Sequence, residues 1–305
     1  MEKHRKKLIK NAAVFDGHSS GLVQGKKIVI EDDIVTEITA DEVSEENFDE
    51  VFDSTGMVAM PGMTDAHVHM GCLFAKGEFP VDYATVLTVA KCKDALMAGF
   101  TTFRDAGSVS EGLKLAFDEG VLPGPRIYPC GAYISQTCGH RDSEYAHTYR
   151  DIQYRHPSST VLADGVPEII RAVREQFYRG ASHIKLMATE ILNRHEDIRL
   201  LFGTDMMITG PDYQVEQSED IRYYEKRFGT MRALRALTGT ANEVFALTTY
   251  QNPYPKGKIG VLEAGSYADL LLVDGDPTKS VSVLADTDHL RLIMKGGTVY
   301  KNTLC

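Results

Sequence analysis

Apolar residues fall along this chain in two textures. From residue 7 to 52 they form short runs broken by turn residues: 8–14, a bend through Gly17 and Gly21, then 27–30 and 34–38 on either side of Asp32-Asp33. Short runs bounded by Gly and Asp predict strands joined by tight turns. The far end repeats the style, with apolar runs at 269–273 and 290–294 and a Gly296-Gly297 turn leading into 298–300. Residues 1–56 and 255–305 are therefore expected to build one small β-domain from both termini.

Between them, in 57–254, strands alternate with longer helical patterns. Residues 83–98 carry Val86, Leu87, Ala90, Leu96 and Met97 at helical spacing, and 166–178 carry Ile169, Ile170, Val173 and Phe177. Two more helical stretches, 231–237 and 241–247, close the series. Strands are expected at 58–69, 101–105, 126–133, 183–187 and 200–205. This alternation predicts βα units around a parallel sheet, hence an α/β fold.

Composition narrows the function classes. Of 305 residues, 43% are hydrophobic and 25% charged, values of an ordinary folded domain, so a disordered chain is excluded. The net charge of -10, with no basic cluster beyond Lys3 to Lys7, repels phosphate backbones and argues against a nucleic-acid partner. No run approaches the roughly 20 apolar residues that span a bilayer, and the basic first ten residues lead into no signal-peptide core. A cytoplasmic protein without a membrane partner is the expectation. The five cysteines are odd in number and lack CxxC spacing, which suits reduced thiols.

The chemistry concentrates in three places. In Met60-Pro61-Gly62-Met63-Thr64-Asp65-Ala66-His67-Val68-His69, the two histidines stand at i and i+2 on an expected strand, so both project to one side within reach of a single metal ion. Pro61-Gly62 forces a turn just before them, and the βα pattern puts them near the strand's carboxyl end, where barrel active sites lie. Lys185 sits in the apolar stretch His183-Ile184-Lys185-Leu186-Met187. Burying an ammonium is costly unless it is paired or modified, and an uncharged lysine can take up carbon dioxide to give a carbamate, an anionic oxygen ligand. A lysine snorkelling from the strand end is the competing account, and neighbouring His183 reads as a satisfied core histidine. Asp205 ends the run Leu200-Leu201-Phe202-Gly203-Thr204-Asp205, where a carboxylate can bind metal and take a proton from water activated on zinc; a helix N-cap is the alternative.

Taken with the terminal sheet, these signals resemble the amidohydrolase superfamily, closest to its imidazolonepropionase-like and prolidase-like branch. The resemblance runs through the His67-Val68-His69 block, Gly99-Phe100-Thr101-Thr102-Phe103-Arg104-Asp105-Ala106-Gly107, 180–189, Phe202 to Asp205, 233–247 and 257–277. It implies a TIM-type (β/α) barrel beside a small β-sandwich, and hydrolysis of an amide, dipeptide or cyclic amide C–N bond. It also implies His67 and His69 as first-strand ligands, Lys185 as the carbamylated lysine, and Asp205 as last-strand ligand and general base. Ser135-Gln136-Thr137-Cys138-Gly139-His140 resembles a loop whose histidine faces substrate, although Cys138 and Arg141 replace glycines of that pattern.

One stretch departs from the family. Two further histidines are expected on strands between the lysine and the final aspartate, yet the few residues from 187 to 204 cannot hold βα units of about 30 residues each. The sole histidine in that gap, His195, lies in the charged stretch Asn193-Arg194-His195-Glu196-Asp197 and reads as a loop residue. About five of the eight strands that closure requires are recognisable, so the barrel is expected to be incomplete, truncated between about 188 and 199. Since the lost histidines would hold a second ion, one zinc or similar divalent metal per chain is expected. Two functions stay open: a working hydrolase on a small amide or dipeptide, or a catalytically impaired chain acting as an interaction subunit. Open strand edges would favour pairing with a second copy or a full-length homologue.

Overall fold

The computed structural model describes residues 5–70, 81–107, 109, 111–137, 139, 160–186, 199–207 and 213–304. Strands β1 (Lys6–Val14), β2 (Val23–Glu31) and β3 (Ile34–Thr39) form an antiparallel meander, and β4 (Glu50–Asp53) and β5 (Val58–Pro61) run parallel to β1. The central strands are β6 (Met63–His69), β7 (Phe100–Asp105), β8 (Arg126–Tyr128), β9 (Tyr133–Ser135), β10 (Thr160–Leu162) and β11 (Met206–Met207). The carboxyl end supplies β12 (Leu270–Val273), β13 (Leu290–Lys295) and β14 (Thr298–Asn302).

Both chain ends meet in one eight-stranded sheet of order β14-β13-β12-β5-β1-β2-β3, with β4 alongside β1. Its register follows the apolar pattern. Ile9, Ala12, Ile28, Ile30 and Val35 are buried together with Leu270, Leu272, Leu292 and Met294 from the other end of the chain. The tight β2–β3 turn places Asp32 in the left-handed region at φ 54°, a conformation that Asp tolerates better than most residues.

A second sheet, of order β11-β6-β7-β8, is parallel throughout, and β9 pairs with β10 beside it. Around these strands lie helices α1 (Val81–Met97), α2 (Glu111–Asp118), α3 (Gly165–Tyr178), α4 (Tyr213–Phe228), α5 (Thr230–Leu237) and α6 (Gly239–Phe245). The phenylalanines Phe100, Phe103, Phe117 and Phe202 share one core with Leu234 and Leu237 of α5 and with Leu271 and Ile293 of the first sheet. That shared core packs the two sheets into one body.

Several expected elements differ in detail. The strand expected at 58–69 is two strands in two sheets, because Gly62 sits at the crossing. Its N–H donates to the Asp269 carbonyl at 2.9 Å, and a Cβ there would come within 2.1 Å of Thr101 Oγ1. The strand expected at 126–133 is likewise split into β8 and β9. The segment 200–205 is not a strand: it joins β6 through the Ala66 N–H to Phe202 O (2.8 Å) and Asp205 N–H to His67 O (2.8 Å) bonds, and regular pairing begins only at β11. Over the described part of the strand expected at 183–187, residues 183–186, there is a single bridge from Leu186 to Ile134 of β9.

Two helices also turn a different face inward. α1 buries Ala84, Thr88, Cys92, Ala95 and Leu96 while Val86 is exposed, and α3 buries Ala172 and Gln176 while Ile169 and Ile170 stand out. Small residues such as Ala84, Ala95 and Ala172 let a helix approach the sheet closely, and Gln176 is drawn in by the Ala132 N–H that its Oε1 accepts at 2.8 Å, preferences that counting large apolar residues misses. The gap at 188–199 and residues His140 and His195 lie outside the described residues, apart from Arg199. No helix among the described residues is long and apolar enough to cross a membrane.

Candidate metal centre

The carboxyl ends of β6 and the 200–205 segment bring three expected ligands together. His67 and His69 project to the same side, as strand alternation requires, with ring centroids 5.4 Å apart. Asp205 Oδ1 lies 2.9 Å from His67 Nε2 and 3.0 Å from His69 Nε2. One nitrogen from each ring and one carboxylate oxygen all lie within 4.8 Å of one another, a set that could hold a metal ion.

The fourth expected residue arrives from across the sheet. Lys185 is held by its carbonyl, which accepts from the Ile134 N–H at 3.0 Å, and its Nζ stands 3.2 Å from His67 Nε2. Burial, aided by the Lys185 cation, lowers the His67 pKa to about 4, against the opposing pull of Asp205. The ring is therefore neutral near pH 7, as a metal ligand must be. His69 is the more buried of the two, and its Nδ1 meets the Tyr133 hydroxyl at 2.9 Å. Asp205 is 73% exposed, so the cluster opens to solvent on the carboxylate side.

Asp205 owes its place to backbone geometry and to a buried neighbour. It adopts φ 55°, a left-handed turn at the end of the 200–205 segment. Just before it, Thr204 donates through N–H and Oγ1 to Asp65, at 3.3 and 2.9 Å. Asp65 is fully buried and also accepts from the His67 N–H at 3.2 Å and Gln217 Nε2 at 3.3 Å. One carboxylate thus ties β6, the Asp205 segment and α4 together, although burial raises its pKa to about 6.

The surroundings are small and mixed in polarity. A cavity of about 260 Å³ is lined by Ala66, His67, Arg104, Phe202, Asp205 and Tyr224. A larger one, about 780 Å³ between α2 and α3, includes Leu115, Gln176 and Arg179 and none of the expected site residues. The smaller is the candidate site, because among the described residues the histidine and carboxylate donors converge there. His183 behaves as a satisfied core residue: its Nε2 donates to the Asp105 carbonyl at 3.1 Å, Nδ1 contacts Ser182 Oγ at 3.0 Å, and burial lowers its pKa to about 3.

Residues 58–198 match the model of the amidohydrolase family. The resemblance is to that family. Ochratoxinase of Aspergillus niger is 34% identical over 152 residues, which cover 43% of this chain and 31% of that protein. The match thus spans about a third of the curated relative's length. Among solved structures, an amidohydrolase superposes with a TM-score of 0.84 at 23% identity, covering 98% of this chain and all of that one. A prolidase complexed with N-methylphosphonate-L-proline superposes at 0.77 with 21% identity, over 97% of this chain and 100% of that one. At such identities the likeness establishes the fold, which is that of the TIM-barrel-type amidohydrolases.

Two contributors escaped the sequence reading. Asp65 carried a usable signal, since a carboxylate two residues before His67 in an apolar strand must either be satisfied or be costly. Tyr133 carried none, because its approach to His69 is made across the fold.

Proposed function

We propose that this chain is a metal-dependent hydrolase of C–N bonds, acting on amides, dipeptides or cyclic amides. The observation that carries this reading is the convergence of His67, His69 and Asp205, from sequence positions up to 138 apart, within 4.8 Å. The donor set of two imidazole nitrogens and a carboxylate fits a divalent cation of the zinc type, with Lys185, as a carbamate, completing it. When bound, the cation supplies Lewis acidity that polarises the scissile carbonyl and eases deprotonation of water.

The chain's own residues do the rest. His67 stays neutral, and both rings turn Nε2 towards Asp205. Asp205 makes both histidine contacts through Oδ1, which leaves Oδ2 to take the proton of the attacking water and return it to the departing nitrogen. Phe202 and Tyr224 wall one side of the cavity, and Arg104 offers a cation there. The ochratoxinase and prolidase likenesses point to amide and dipeptide substrates, and His140 is assigned to orient them.

The parts are assigned as the sequence suggests: a β-sandwich of 1–56 with 255–305, and a shortened barrel of 57–254 that holds one ion per chain. Zinc-loaded protein should cleave members of a panel of dipeptides and N-acyl amino acids. Asp205→Asn should lower that rate by roughly 10²–10⁴-fold. Equal turnover by the variant, or two tightly held zinc equivalents per chain, would overturn the assignment.

A further inference from the structure

The contact between Tyr133 and His69 has its own logic. Both side chains are buried, Tyr133 to 1% exposure, and the hydroxyl lies 2.9 Å from Nδ1 while Nε2 faces Asp205 Oδ1 at 3.0 Å. The ring fits only because residue 107 is glycine: a Cβ there would fall 2.0 Å from the Tyr133 ring atoms, and Gly107 is held at φ 157°. A partner seated this firmly leaves the imidazole no freedom to rotate.

A neutral imidazole carries one N–H, and an ionised carboxylate only accepts. In the tautomer whose Nε2–H donates to Asp205, Nδ1 must accept, and the Tyr133 O–H donates to it. A cation takes the Nε2 lone pair instead, so the single ring proton must sit on Nδ1 and needs an acceptor. The Tyr133 oxygen supplies one once its hydrogen swings aside. The proton count of the ring is unchanged; only its site moves. A carboxylate in place of Tyr133 would serve the second state alone, whereas a hydroxyl serves both.

We infer that Tyr133 is a positioning residue that fixes the orientation of His69 and supports both of its neutral tautomers, so that Nε2 can pass from Asp205 to a divalent cation. The inference rests on the metal-centre reading above. It is tested with zinc alone, by chelator competition and by the ¹⁵N signals of histidine-labelled protein, with His69→Gln used to assign the ring.

In the parent, zinc should move the His69 ring proton from Nε2 to Nδ1. Tyr133→Phe should keep its circular dichroism and bind zinc roughly 10–100-fold more weakly, as loss of a ligand's hydrogen-bonding partner does elsewhere. Gly107→Ala, which displaces the ring but leaves the hydroxyl on it, should weaken binding in the same direction. Affinity in Tyr133→Phe within about twofold of the parent, or no tautomer change on loading, overturns the role of Tyr133 and leaves the centre standing. A parent that binds no zinc overturns the centre itself and this inference with it.

Discussion

The eight-stranded sheet and the four-stranded sheet hold their strands by different means. In the first, β1 and β2 are nine residues each, pair along most of their length, and bury an apolar face contributed by both chain ends. In the second, β8 has three residues and β11 two, too few for a ladder to fix register alone. Buried ionisable groups do that work instead: Asp65 ties three segments together, Asp105 accepts from the Met70 and Val109 N–H groups at 3.2 Å each, and Arg126 reaches Asp269. Apolar area is forgiving of small displacements, whereas a buried charge tolerates almost none. The chain therefore places its candidate metal ligands where geometry is set by directional bonds and leaves bulk stability to the other sheet.

The strongest way to break this contrast is at the bond between the two sheets. Arg126, in β8, makes a two-pronged ion pair with Asp269 just before β12, at 2.6 and 3.1 Å, and its guanidinium lies 3.9 Å from the Tyr267 ring centre. Both partners are buried. Asp269→Ala strands that cation and also removes an acceptor for the Gly296 N–H, so a loss of about 3–5 kcal/mol is expected in denaturant unfolding. Replacing both partners by apolar residues of similar volume should recover most of it. A loss below about 1 kcal/mol would mean that packing alone joins the sheets.

A smaller effect is expected at the crossing itself. Gly62→Ala drives a methyl group into Thr101, whose Oγ1 is buried without a hydrogen-bond partner among the described residues. Overpacking of this kind costs about 1–3 kcal/mol. Thr101→Ala in the same chain should restore a large part, and a double-mutant cycle reads the coupling. Strictly additive effects would show that β5 and β6 adjust independently of that contact.

The same contrast explains what could be read from the residues alone. The terminal strands were legible because their apolar runs, turns and lengths all agree, so local pattern and tertiary pairing give one answer. That His67 and His69 would face one way was legible because two-residue periodicity acts locally; Lys185 stood out as a cation inside an apolar stretch and Asp205 as a carboxylate closing one, and the fold brings all four together. The 200–205 segment misled: its apolar residues bury against α5 and the aromatic core without forming a ladder, and burial alone does not distinguish a strand from a packed loop. The inner faces of α1 and α3 misled for a related reason, since Ala84 and Ala172 are selected by closeness of approach and Gln176 by the Ala132 N–H that its Oε1 accepts at 2.8 Å. Tyr133 and Gln217 were invisible, because their roles exist only once distant segments meet.

The subtlest test uses pH to ask whether the second sheet carries its buried carboxylates at a cost. Asp105 is fully buried, and desolvation pushes its pKa from 3.8 to about 7, against the backbone N–H groups of Met70, Val109 and Gly107 that favour the ionised form. Between about pH 4 and pH 7 the folded chain keeps a proton there that the unfolded chain has released. Stability changes with pH in proportion to the protons bound by the unfolded state minus those bound by the native state, which is negative in this window. The contribution is therefore complete below about pH 4 and is lost as pH rises towards 7, with a slope of up to about 1.4 kcal/mol per pH unit for one proton. Asp105→Asn removes the titration, so its unfolding free energy should fall less steeply over that window than the parent's, as urea titrations at several pH values would record. Parallel curves for the two proteins would show that Asp105 is ionised in the folded state, and that its N–H donors outweigh its burial.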